Sequence, residues 1–253
     1  VSYCPLCNSG IIFDRTLEVD GEEQTAVFGV SGMLRKSDMV MWDDVTESWW
    51  QQLTGEAIVG KMTGTKLKFI PSQILSVKEF FESYPDGLIM SKKAGFEDSE
   101  EWYGRNYYVG YDSLGAQPRR FFQDEVDSRL PAMERVVQVS SLGYYKVYPY
   151  AEIRAEGVIN DYFHSKKIVM FYKPGTVSVL DKEDLKESRD VGTVTVFSAM
   201  HDGQHLTFSR SDKYFIDDQT GSKWTISGKC VAGKFNGGSL RQPFCICMVC
   251  VSS

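Results

Sequence analysis

Asp44-Val45-Thr46-Glu47-Ser48-Trp49-Trp50 returns later in the chain as Asp218-Gln219-Thr220-Gly221-Ser222-Lys223-Trp224. The spacing Asp-x-Thr-x-Ser-x-Trp is the same in both stretches. Behind the first follow Gly55, Gly60, Gly64 and Leu67; behind the second follow Gly228, Gly233, Gly237 and Leu240. The Gly-to-Leu spacing matches as well, and only the joining segment differs, by one residue. Such in-step identity is the mark of an internal repeat. Ahead of each stretch stands an Asp-Gly turn leading into an apolar strand: Asp20-Gly21 before Phe28, and Asp202-Gly203 before Phe208.

Working outward, short apolar or alternating runs punctuated by Gly dominate, as in Ala26 to Val30, Met39 to Trp42, Ala57 to Val59, Leu67 to Ile70 and Val194 to Phe197. Runs of this kind read as strands joined by tight turns. Helices are few. Ser76 and Glu79 have capping-box spacing ahead of Val77, Phe80, Phe81 and Tyr84, which share one helical face, and Pro85-Asp86-Gly87 ends the pattern. A second helix is expected from Pro149 to Glu156 before Gly157, and a more polar third around Lys182 to Arg189. The expected fold is α+β and β-rich: two diverged copies of one mainly antiparallel β motif with a few short helices. Residues 1–91 form the first copy, 92–142 an irregular aromatic-rich connection, and 143–253 the second copy with an atypical tail.

Copy two can be followed upstream. Met170-Phe171-Tyr172-Lys173-Pro174 resembles Val1-Ser2-Tyr3-Cys4-Pro5, and each is followed by a β-rich segment ending in Asp, at Asp14 and Asp181. The lead-in from Tyr144 to Phe171 has no counterpart in copy one, as expected of a chain that lacks its first lead-in. At 253 residues the chain can bury a sizeable core. The net charge of −6, with no long Lys/Arg block, argues against nucleic acid as a partner. No apolar run reaches the length of a membrane span. Partners and compartment are otherwise open.

A repeat supplies its own control. Residues kept in both copies hold the fold; residues present in one are free to carry chemistry. By that test Asp44, Thr46, Ser48 and Trp50 are structural, with Asp and Ser/Thr closing turns and Trp anchoring a core. A polar ligand site using Ser31, Asp44, Ser48 and Trp50 is the lesser alternative. The pair Cys4-Pro5-Leu6-Cys7 passes the test the other way, because Lys173 and Thr176 stand in the two cysteine places of copy two. A Cys-x-x-Cys pair can cycle between dithiol and disulfide, with a thiolate made available by local electrostatics. It can equally form half of a zinc site, or be inert. No second zinc knuckle stands at recognised spacing among Cys230, His164, His201, His205 and the tail cysteines Cys245, Cys247 and Cys250. The expected catalytic residues are therefore Cys4 and Cys7, with no cofactor; the alternative makes them zinc ligands in a non-catalytic binding module, and a third reading is a purely structural scaffold. A thioredoxin-like arrangement is disfavoured, since a strand pattern follows the pair where a helix would be needed. Cys230 aligns with Ala57 and reads as a small buried residue; the three histidines fit no Ser/His/Asp arrangement. Arg119-Arg120 and Lys166-Lys167 read as solvated charges.

Tyr3-Cys-Pro-Leu-Cys7, Phe28-Gly-Val-Ser-Gly32, Asp44 to Trp50 and Gly55-Glu-Ala-Ile-Val-Gly60 together resemble the prokaryotic family called domain of unknown function 3179. Val147-Tyr-Pro149, Gly157-Val-Ile-Asn-Asp161, Arg189-Asp-Val-Gly192 and Asp218 to Trp224 carry the resemblance through the second half, up to about Leu240. The family has no established activity. The resemblance implies a lead-in before the cysteine motif, often with an export signal, and hence an extracytoplasmic location. Selenocysteine within the motif of some members favours redox chemistry at Cys4 or Cys7 over zinc. The cysteine-rich tail departs from the family pattern and reads as an altered end of the gene.

Overall fold

The computed structural model describes residues 1–91, 103–118, 122, 125–141, 143–243 and 245–249, the last five by backbone alone. Arg119, Arg120 and Cys250 lie outside the described residues, as do the side chains of Cys245 and Cys247. The fold is β-rich and its paired strands are antiparallel. The chain forms two compact units: residues 1–72, 114–138 and 246–253, and residues 73–113 and 139–245.

In the first unit, β1 (Ser2–Cys4) and β2 (Ser9–Phe13) make a hairpin, and β2 pairs onward with β9 (Phe69–Ile70). A second hairpin, β3 (Thr16–Val19) and β4 (Glu22–Thr25), turns at Asp20-Gly21, both in the left-handed region. That is the backbone of a two-residue hairpin turn, for which Asp-Gly is a favoured pair. A four-stranded meander follows in chain order: β5 (Phe28–Arg35), β6 (Asp38–Asp43), β7 (Trp49–Gln51) and β8 (Ala57–Val59). Its register slips between Trp49 and Trp50, so Trp50 faces Ala57 while Trp49 faces Val59. Trp50 is fully buried among Leu17, Val19, Ala26, Met41, Ala57, Met62 and Leu67, with the Phe28 ring edge-on at 5.8 Å.

The second unit opens with α1 (Val77–Ser83), capped reciprocally by Ser76 and Glu79 as the sequence predicts. Its buried face is not the expected one. Glu79 and Ser83 point inward while Val77, Phe81 and Tyr84 are exposed. The reason is chemical: one Glu79 oxygen accepts bonds from the Ser76 N–H and hydroxyl and from the hydroxyls of Thr176 and Thr193, at 2.7–3.2 Å, which turns the helix polar side in. The strand β10 (Arg135–Ser141) falls inside the span read as an irregular connection, and β11 (Tyr144–Pro149) leads into α2 (Tyr150–Glu156), which ends on Gly157 at φ 73°. Next, β12 (Val158–Phe163), β13 (Lys166–Lys173) and β14 (Thr193–Ser198) form a three-stranded sheet. The expected third helix is a single 3-10 turn, Leu185–Glu187, and the expected strand ending at Asp181 is absent, Val177 making one isolated bridge to Asp190. Side-chain bonds to backbone hold that stretch instead, such as Ser178 Oγ accepting from Leu180 N–H and Asp181 accepting from Arg189 N–H.

A short hairpin, β15 (Met200–His201) and β16 (Gln204–His205), turns at Asp202-Gly203, again both left-handed. The meander β17 (Phe208–Arg210), β18 (Phe215–Asp217), β19 (Lys223–Trp224) and β20 (Cys230–Ala232) completes the unit's sheets, with a register slip between Lys223 and Trp224. Trp224 faces Cys230 and is fully buried with Phe208, Phe215, Phe235 and Leu240. The tail carries a last strand, β21 (Cys245–Val249). Among the described residues no helix is long and apolar enough to cross a membrane.

Candidate functional site

Each meander is organised by a carboxylate that the sequence reading did not single out. Asp43, not Asp44, is the buried member of its Asp-Asp pair. It accepts from the backbone N–H groups of Val45, Thr46 and Ser48, from the Thr46 hydroxyl at 2.7 Å and from the Trp50 indole at 2.8 Å. Burial pushes its carboxyl up, but the bonds from Thr46, Trp50 and Val45 outweigh this and hold it below the usual carboxylate value. Asp217 likewise accepts from Thr220 N–H, the Thr220 hydroxyl and the Trp224 indole at 2.9 Å. Ser48 Oγ accepts from Met62 N–H and Ser222 Oγ from Phe235 N–H. Gly60 (φ 101°) and Gly233 (φ 96°) pass so close that a Cβ would stand 2.8 and 2.6 Å from the Ser48 and Ser222 Cα atoms. The exposed Asp44 accepts from Val27 N–H, and Ser31 donates to the Val40 carbonyl at 2.6 Å. Among the described residues none of Ser31, Asp44, Ser48 and Trp50 hydrogen-bonds either hairpin cysteine. The doublet was visible in both stretches, Asp43-Asp44 and Asp217-Asp218, but nothing in the spacing said which member turns inward.

Cys4 ends β1, facing Ser9, and Cys7 lies within the Pro5–Asn8 turn that closes the β1–β2 hairpin. Pro5 sits inside this turn with its φ fixed, and Asn8 ends it at φ 48°, a left-handed conformation that Asn tolerates well. Asn8 is buried; its amide oxygen accepts from the Arg135 guanidinium at 2.8 Å and its nitrogen donates to Tyr3 Oη. Gln52 ties the hairpin to the meander. Fully buried, it accepts from Ser9 Oγ at 2.9 Å and donates to Ser2 Oγ, while its backbone N–H reaches Met39. The result is a turn whose two thiols face inward, 1% and 5% exposed.

Facing them is Asp38, 2% exposed, the first residue of β6. The turn before it, Lys36-Ser37, is left-handed at both residues, φ 52° and 62°, with no glycine to ease it. One Asp38 oxygen accepts from Leu53 N–H at 2.9 Å; the other lies 3.5 Å from Cys7 Sγ. The Cys7 thiol also has the Ser37 carbonyl at 3.6 Å. The ligand atoms of Cys4, Cys7 and Asp38 lie within 4.8 Å of one another. Among the described residues this is the one group of three or more Cys, His, Asp and Glu side chains arranged as a metal would require.

The electrostatics separate the thiols. The hydrogen bond from the Cys7 thiol holds Cys4 below its ordinary value, against the effect of burial. The same bond, together with burial and the charges of Cys4 and Asp38, pushes Cys7 well up. Burial raises the Asp38 carboxyl, a rise that bonds from Leu53, Cys7 and Gln51 only partly offset. The arrangement favours a Cys4 thiolate beside a Cys7 thiol.

The family described as a protein of unknown function, DUF3179, matches residues 1–246. The chain belongs to this family. No curated protein and no solved structure matches it. Membership therefore brings no activity with it, and the chemistry of this DUF3179 chain has to be read from its own residues.

Proposed function

We propose that this protein carries a thiol–disulfide redox centre in which Cys4 and Cys7 cycle between dithiol and disulfide. The observation that carries the reading is the hairpin turn that holds two buried thiols within 4.8 Å of one another. A thiolate is the nucleophile in disulfide exchange, and a neighbouring donor makes it available at lower pH. In the forward step the Cys4 thiolate attacks one sulfur of a disulfide substrate, forming a mixed disulfide and expelling the other sulfur as thiolate. Cys7 then loses its proton and attacks Cys4, closing the intramolecular disulfide and releasing the substrate as its second thiol. The substrate thus gains two electrons from the pair. With both thiols so buried, a low-molecular-weight disulfide suits the site better than a folded protein.

Equilibration against a dithiothreitol redox series, followed by alkylation and mass measurement, tests this. Cys4 and Cys7 are expected to pair with each other, and Cys230 to stay reduced. If the two never pair, or pair only at a potential no compartment reaches, the reading fails. Alkylation of Cys4 should also rise with pH at a midpoint below that of an ordinary thiol.

We further propose that the two meanders are diverged copies of one motif, with the cysteine turn confined to the first. Support comes from the matching strand order, register slips and Asp–Thr–Trp bonding in the two sheets.

A further inference from the structure

The disulfide chemistry above leaves Asp38 without a part, although it is buried against Cys7 and fixed by Leu53 N–H. We infer that the reduced site binds one zinc ion through Cys4 Sγ, Cys7 Sγ and Asp38 Oδ1, and that oxidation of the pair expels it.

The spacing suits such an ion. With Zn–S about 2.3 Å and Zn–O about 2.1 Å, a tetrahedral centre separates its sulfur and oxygen ligands by about 3.6 Å. Cys7 Sγ and Asp38 Oδ1 stand 3.5 Å apart, and all three ligand atoms lie within 4.8 Å. The donor set selects the metal class: two thiolates disfavour magnesium and calcium, and a carboxylate beside them suits zinc better than copper(I). The Leu53 N–H on the second Asp38 oxygen is the kind of outer bond that orients a ligating carboxylate. Ser37, next to Asp38, adds an independent sign. Its side chain is fully buried, and its hydroxyl has no partner among the described residues. A buried hydroxyl without a partner is a group for which an absent water or ion is one explanation. Three protein ligands leave a fourth position open, the pattern of a site that exchanges a water or small anion.

Binding converts the Cys7 thiol to thiolate and so releases its proton to solvent. Oxidation by a disulfide removes two electrons from the two thiolates, forms the S–S bond and leaves the metal with one carboxylate, too few ligands to hold it. Only this expulsion step rests on the redox reading; zinc binding does not.

Metal-stripped, reduced full-length protein titrated with cobalt(II) tests the inference, zinc being added afterwards. One equivalent of cobalt with thiolate-to-metal charge-transfer absorption is expected, displaced by one equivalent of zinc. Cys4→Ser should abolish it, Asp38→Asn should weaken zinc at least tenfold, and Cys230→Ser should change nothing. Zinc binding by the unmutated protein should release at least one proton, read with an indicator dye; this arm holds even where a variant fails to fold. Absence of charge transfer, absence of proton release, or unchanged affinity in a folded Asp38→Asn variant overturns the site. A disulfide that forms in protein unable to bind zinc overturns this inference and leaves the redox reading standing. Zinc binding in protein that never forms the disulfide does the reverse. Zinc retained after full oxidation overturns the expulsion.

Discussion

Two antiparallel strand pairs, β1–β2 and β13–β14, each end near a buried carboxylate, and the two carboxylates are surrounded differently. In the first unit Cys4 faces Ser9 across a turn of Pro5 to Asn8, and Asp38 looks onto the thiols with one oxygen committed to Leu53. In the second, Lys173 faces Thr193, and a long connection replaces the turn. There Glu79 receives the hydroxyls of Thr176 and Thr193 and has the Lys173 ammonium 3.9 Å away. One carboxylate is surrounded by hydroxyl, N–H and ammonium donors and ties α1 to Thr176 and Thr193. The other meets polarisable sulfur and keeps lone pairs to offer. The difference lies in the side chains around each carboxylate: the Cys7 thiol beside Asp38, the threonine hydroxyls beside Glu79.

That contrast holds only if the meanders are energetically alike, which paired substitutions can break. Trp50→Ala and Trp224→Ala empty the largest fully buried side chains, and each should cost its unit about 3–5 kcal/mol. Urea titration followed by circular dichroism measures this. Losses differing by more than about 2 kcal/mol, beyond the usual site-to-site spread, would end the claim of equivalence.

Asp43→Ala and Asp217→Ala come next. Each strands a buried indole N–H and a threonine hydroxyl, so about 3 kcal/mol is expected. Asp43 also sets a pH dependence. Its folded pKa lies below the unfolded value near 4, so the stabilisation is complete above about pH 4–5 and is lost as pH falls through the lowered folded value. Acid titration of Asp43→Asn should lack that component of the loss.

Gly60→Ala and Gly233→Ala force a Cβ onto serine backbone at positive φ, at about 1–2 kcal/mol for the left-handed conformation and more for the overlap. The smallest effect belongs to the exchange Cys230→Ala, which copies Ala57 into the matched place facing Trp224. A change of about 1 kcal/mol or less is expected, read from the same urea curves.

How much of this was legible beforehand follows the physics of each residue. Trp50, Trp224, the Asp-Gly turns and the capping box could be read because their roles depend on near neighbours in sequence. Cys4 and Cys7 were found through their spacing, and their burial follows from a turn that the sequence hints at through Pro5 and Asn8. Asp38 was not found. It stands alone after Ser37, and only the pairing of β5 with β6 and the docking of the hairpin bring it to Cys7. The inward face of α1 was misread for a related reason. Four apolar side chains at helical spacing outweighed Glu79 until the hydroxyls of Thr176 and Thr193, about a hundred residues on, were in place. Asp43 lay in plain view, but a doublet of like residues carries no information about which one is buried.

The meander β5–β6–β7–β8 pairs only strands that follow one another in the chain. Loops that short close quickly, and contacts local in sequence form early in folding. The pairing of β2 with β9, by contrast, joins Phe13 to Phe69 across the whole meander. The hairpin bearing Cys4 and Cys7 should therefore dock last. In a nascent chain the two thiols would stay open to solvent while the sheet that will cover them already stands.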